Sequence, residues 1–184
     1  MLTREPTATP EQVMGTSLRL EIEAAALYQR FQAATSDPEL VELWKTMSRA
    51  ETHHARLIAD LASVREFSVP IVPVRVLTAI VDRAEAIRRE ADEGPLTTDR
   101  MLSITAALEF SEMDDLFTAI CRSAGVSPDG GRADHLEPLI QAVLVRQSGD
   151  TILRHLLAAL IRLERRADPI ATPEPPPAMA ASAR

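Results

Sequence analysis

The sequence is poor in the residues that build sheets, disulfides and membrane spans. Aromatics make up only 3% of the 184 residues, while Ala and Leu dominate a hydrophobic fraction of 46%. That balance suits packed helices rather than sheets, which favour β-branched and aromatic side chains. A single cysteine, Cys121, excludes an internal disulfide and any site built on four thiolates. No run of eighteen apolar residues occurs; the longest candidate, around 152–163, is interrupted by Arg154, His155 and Arg162. The opening stretch MLTREPTATP lacks the apolar core of a signal peptide. Acidic residues outnumber basic ones, and the net charge of −7 argues against nucleic acid as the main partner. A chain with none of these features is expected in the cytoplasm, with no membrane partner.

What is present reads as helices and their punctuation. Thr9-Pro10-Glu11-Gln12 has the form of a helix start, with Thr as the cap, Pro at the first helical position and Gln closing a capping box. The spacing predicts a helix from about 10 to 35. SDPEL at 36–40 repeats the device with Asp37 and Pro38, starting a second helix to about 66. Pro70 and Pro73 break the helix pattern over 67–74. A shorter amphipathic helix is predicted over 74–92, ending at Gly94-Pro95, then a long one over 98–124 ending at Gly125. GVSPDGGRAD reads as loop, and a fourth long helix is predicted over 135–167. Residues 1–9 form an arm, 10–168 the helical domain, and the Pro/Ala-rich 169–184 a disordered tail. Two long hairpins joined by a crossover of roughly thirty residues predict an all-α, ferritin-like four-helix bundle with a short extra helix in the crossover. The apolar residues Val74, Val76, Leu77, Ile80, Val81 and Ile87 are predicted to be covered, either by the bundle or by a second copy. A homo-oligomer, in the simplest case a dimer, is the expected state.

The acids carry the functional signal. In the first helix the apolar stripe Met14, Leu18, Ala25, Tyr28, Phe31 contains Glu21 in its middle. In the second, Glu51 and His54 together interrupt the stripe Leu40, Leu43, Met47, Ala50, Ile58, Leu61. In the third, Glu109 and Glu112 lie along Leu102, Thr105, Leu108, Leu116, Ala119. Burying unpaired carboxylates costs several kcal/mol each, and no Lys or Arg shares these stripes. Bound cations are the natural compensation, because they accept carboxylate oxygens and imidazole nitrogen directly. Height agrees. Glu21 lies fifteen residues before Ser36 and Glu51 fifteen after it, so in an antiparallel hairpin the two meet at one level. With the second turn centred near Gly130, the level of Glu109 and Glu112 falls near 148–151 on the fourth helix. Asp150 sits in that window and His155 about one turn beyond.

These residues resemble the rubrerythrin branch of the ferritin-like superfamily, over 10–66 and 98–124 by motif and over 135–165 by architecture alone. Glu21 with Tyr28 seven residues later, E-x-x-H at Glu51 and His54, and E-x-x-E at Glu109 and Glu112 match the family's first three helices. Phe117 stands where the family has a tyrosine. The fourth helix departs from the pattern: Ile152 occupies the carboxylate position relative to His155, and Leu153 the histidine position relative to Asp150. The resemblance implies a site of two iron (or manganese) ions, without haem, flavin or an iron–sulfur centre, and without a rubredoxin domain. Its ligands would be Glu21, Glu51, His54, Glu109 and Glu112, completed by His155 or Asp150, and Tyr28 would join the catalytic set as a donor to a ligand carboxylate. Ferroxidase or peroxide-reducing chemistry follows from that likeness, with electrons from an external donor. Two other readings stay open: a bundle of the same fold that has lost catalysis and serves binding or assembly, and an oxygenase with an apolar pocket beside the metals. The stiff Pro169–Pro177 spacer followed by AMAASAR also has the form of a docking tag, as in cargo held inside a protein shell.

Overall fold

The structure, a computed structural model, describes residues 5–64, 68–109, 111–126 and 139–142, without the side chains of 112–114. The expected fourth-helix residues His155 and Asp150 and the tail lie outside them. Among the described residues the chain is all-helical apart from one isolated bridge. Helices α1 (Pro10–Ala34), α2 (Pro38–Ala62), α3 (Val74–Asp92), α4 (Thr98–Glu109) and α5 (Glu112–Ser123) follow in order. Residues 139–142 are again helical.

The predicted starts are built as read. Thr9 Oγ1 accepts from the Gln12 amide at 3.3 Å, and Gln12 Oε1 accepts from the Thr9 amide at 2.8 Å, completing the capping box. Asp37 Oδ1 caps α2 by accepting from the amides of Glu39 and Leu40. With only Thr35–Asp37 between them, α1 and α2 must fold back on each other. Their register follows: Ser48 Oγ donates to the Ala25 carbonyl at 3.1 Å, and Tyr28 stacks on Trp44, its equidistant partner across the turn. The end of α5 follows a Schellman pattern, with Val126 N–H donating to the Cys121 carbonyl and Gly125 N–H to that of Arg122. Gly125 takes φ 67°, the left-handed value that closure requires.

The long helix expected over 98–124 is two helices. At the junction Ser111 N–H donates to the Leu108 carbonyl at 3.0 Å, a tightened i→i−3 bond, and the Ser111 hydroxyl donates to the same oxygen at 2.7 Å. A serine that satisfies a carbonyl locally competes with the helix ladder, which accounts for the break.

α3 packs along α1. Leu77, Ile80 and Ala84 share one buried cluster with Val13, Leu20 and Ile58, while Arg30 of α1 meets Asp92 of α3 at 2.8 Å. The bundle itself thus covers Leu77, Ile80 and Ile87, whereas Val74 is 39% exposed. The N-terminal arm is tied to the same region: Thr7 bridges Pro73, Ala8 N–H donates to the Val72 carbonyl, Val74 N–H to that of Pro6, and Arg75 pairs with Glu5.

The core has two apolar clusters. One holds Tyr28, Phe31, Trp44, Met47, Leu102, Ile104 and Leu139; the other holds Val13, Ile58, Leu77, Leu116, Phe117, Ile120 and Cys121. A layer of buried acids lies along the same helices between them. No described helix is long and apolar enough to cross a membrane.

Candidate metal centre

Three helices deliver the acids of that layer. Glu21 on α1, Glu51 and His54 on α2, and Glu109 at the end of α4 are all less than 9% exposed. One ligand atom from each of Glu21, Glu51 and His54 lies within 4.8 Å of the others. The E-x-x-H spacing places Glu51 and His54 one turn apart on the same face of α2, and the short α1–α2 link brings Glu21 to their level. His54 Nδ1 is 3.1 Å from Glu51 Oε2 and 3.4 Å from Glu21 Oε2.

Glu109 occupies a neighbouring position. Its Oε1 accepts a hydrogen bond from the Tyr28 hydroxyl, and it is not among the three whose ligand atoms converge. Tyr28 is the predicted donor to one of the expected ligand carboxylates. Helix α5 begins at Glu112, whose side chain, like His155 and Asp150, lies outside the described positions.

Electrostatics expose the tension in the layer. Burial pushes the Glu51 carboxyl up to about 7; the nearby Glu21 adds to the rise, and His54 opposes it. For His54, burial disfavours the imidazolium, but hydrogen bonds and charge from Glu21 and Glu51 outweigh it and raise the ring to about 10. Burial, then the charges of Glu109, Glu51 and Glu21, hold the Tyr28 phenol well above its usual value, so it stays a neutral donor. Cys121 is raised to about 11 by burial and by Glu21, which keeps it a protonated core thiol.

The donor set fits a divalent cation. Carboxylate oxygens and an imidazole nitrogen around an ion at 2.0–2.2 Å stand about 3–3.5 Å apart, and the two Nδ1–oxygen separations fall in that range. A cation would replace the proton that the group otherwise needs. Three protein donors leave positions for further ligands or for solvent.

Aromatic side chains support the group. The Phe117 ring stacks on the His54 imidazole, centroids 4.1 Å apart at 28°, a flat wall that fixes the ring plane. On the other side Tyr28 lies parallel to Trp44 at 6.3 Å and 7°, with Phe31 tilted against both. In the sequence Phe117 stands out only at the position of the tyrosine, and Trp44 belongs to no motif. The same equidistance from Ser36 that pairs Glu21 with Glu51 would have paired Trp44 with Tyr28. His53 is exposed and Glu23, paired with Arg19 at 4.0 Å, faces outward, both as the stripe requires. The chain matches no protein-family model, no curated protein and no solved structure.

Proposed function

We propose that this chain is a ferritin-like bundle of the rubrerythrin type, working as a non-haem oxidoreductase with two iron or manganese ions. The observation that carries the reading is the convergence of Glu21, Glu51 and His54 within 4.8 Å in a buried layer with no buried Lys or Arg among the described residues to balance it. Redox-active divalent ions bound there would supply one-electron steps toward peroxide or dioxygen, in ferroxidase or peroxide-reducing chemistry. The chain's own residues do the rest. Glu21, Glu51 and His54 bind. Tyr28 keeps its proton on the phenol oxygen and aims the Glu109 carboxylate. Phe117 sets the imidazole plane, and the two apolar clusters exclude water. Electrons come from an external donor, and a homodimer is the proposed assembly.

A second reading has one observation in its favour. His54 Nδ1 lies within ion-pair distance of both carboxylates, so the protonated group partly balances itself without any ion. A bundle retained for binding alone could persist in that state.

Metal analysis separates the two. The purified chain loaded with ferrous iron is expected to bind two ions and to develop a near-ultraviolet ferric absorption band when peroxide is added. The pair Glu51→Ala with His54→Ala should remove both signals. A folded protein that takes up no iron or manganese at stoichiometric levels would sink the oxidoreductase and leave the binding module.

A further inference from the structure

A groove of about 170 Å³ opens on the side of the molecule away from the α1–α2 contact, between α1 and α3 with α4 as its floor. Leu20, Ala24 and Leu27 line one wall, Ala84 and Ile87 the other, and Leu108 closes the bottom. The surface is therefore almost wholly apolar, with charged side chains on its rim. Glu23 stands there, with Arg19 at 4.0 Å. Further along α1 stands Arg30, and Arg88 joins the lining from α3. Seven residues of α1 separate Glu23 from Arg30, roughly 10 Å along the axis.

The two guanidiniums have unused capacity. Arg30 gives one N–H to Asp92 at 2.8 Å, an ion pair in which both side chains are about half exposed and which is therefore weak. A guanidinium carries five donors in a planar fork. Arg88 has no ion-pair partner among the described residues and sits one helical turn before Asp92. Two guanidiniums at the mouth of an apolar slot match a carboxylate on an apolar body, because the fork binds both oxygens in parallel. The size sets the body: an apolar cavity of about 150 Å³ accepts benzene, so the slot holds on the order of six to eight carbons, with the open side taking any excess.

We propose that the α1–α3 groove binds a medium-chain aliphatic carboxylate, its chain against Leu20, Ala24, Leu27, Ala84, Ile87 and Leu108 and its carboxylate on Arg30 and Arg88. The site is separate from the acid layer and does not depend on metal there. Its apolar walls take the chain, and the guanidiniums of Arg30 and Arg88 orient it.

The test is calorimetric titration of the full chain with octanoate below its micellar concentration, beside octylamine and octan-1-ol. One octanoate should bind per chain, at least tenfold tighter than octylamine. Arg88→Ala should weaken octanoate about tenfold and leave octan-1-ol unchanged. Ala24→Leu, which narrows the slot from its half-buried wall, should abolish both, while circular dichroism and the melting midpoint show that the variant folds. Ala84→Leu repeats the block from the α3 wall. Equal affinity for octylamine, or octanoate binding unaffected by either leucine, would overturn the proposal. So would the absence of any binding, which would mean that the groove is covered by another part of the chain or by a second copy. Metal content is measured on the same samples, so failure of the metal reading registers separately from failure here.

Discussion

The α1–α2 hairpin is equally buried at two levels and chemically opposite at each. Near the turn, Tyr28, Phe31, Trp44 and Met47 are 0% exposed, and the three aromatic rings meet one another. Two turns along α1, Glu21, Glu51 and His54 are almost as well buried but consist of groups that water would hold more cheaply. The aromatic level gains free energy from burial; the acidic level loses it and recovers it only through a proton or a cation. One level holds the fold together, and the other is held by the fold.

Truncation of the aromatic level should give the largest effect. Trp44→Ala removes a fully buried indole that Tyr28 and Phe31 both pack against. Urea denaturation is expected to show a loss of about 3–5 kcal/mol, as for other buried Trp or Phe truncations. A loss under about 1 kcal/mol would mean that the aromatic level is not the anchor described. The opposite result is expected at the acidic level, where Glu51→Gln should leave the metal-free protein as stable or more so, since it removes a buried acid.

Metal and pH sharpen the contrast further. The folded Glu51 carboxyl is raised to about 7 from 4.5, so its protonated form is favoured by folding; that contribution is complete below 4.5 and lost as pH rises through 7. His54 is raised to about 10 from 6.5, so its contribution is complete below 6.5 and lost as pH rises through 10. Both slopes run the same way: the metal-free chain should melt at progressively lower temperature from pH 5 to pH 9. A divalent cation held there would compete for the same atoms and bind better once they are deprotonated. At one hundred times its dissociation constant it adds about 2.7 kcal/mol, so excess manganese should raise the midpoint more at pH 8 than at pH 6. Melting curves at these pH values, with and without manganese, decide the point; a metal-free midpoint that rises with pH would contradict the assigned charges.

Tyr28 joins the two levels, since its ring belongs to the aromatic stack and its hydroxyl to the acids. Tyr28→Phe keeps the stack and deletes the hydrogen bond to Glu109. A cost of about 1–3 kcal/mol is expected in the metal-free protein, from the lost bond and the desolvated carboxylate. Thermal melts of Tyr28→Phe beside Trp44→Ala should place it clearly below the truncation.

Much of this contrast was legible in the residues because helices report their buried faces. Glu21, Glu51, His54 and Glu109 each interrupt an apolar stripe, and distance from Ser36 sets the level at which the first two meet. Caps at Thr9 and Asp37 fix two helix starts with a local signal. The break before Glu112 was not legible: Ser111 has the same composition whether its hydroxyl points to water or back to Leu108. The His54–Phe117 stack depends on the rotation of α5 about its axis, which a stripe of mixed Leu, Phe and Ala does not determine. The cover over Leu77, Ile80 and Ile87 was ambiguous for a different reason, because an amphipathic helix looks the same whether the bundle or a partner buries it.

The smallest effect tests whether distance from the acidic level matters at all. Thr9 sits at the start of α1, three turns from Glu21, and its side chain touches only the first turn through the Gln12 amide. Thr9→Ala removes one half of the capping box and should cost about 1 kcal/mol, with a little more if the arm that pairs with Val72 and Val74 loosens with it. Affinity for manganese, measured by titration on the same variant, should not change. If the cap substitution weakens metal binding as much as it weakens the fold, then α1 reports strain along its whole length, and the acidic level is not the independent unit that its chemistry implies.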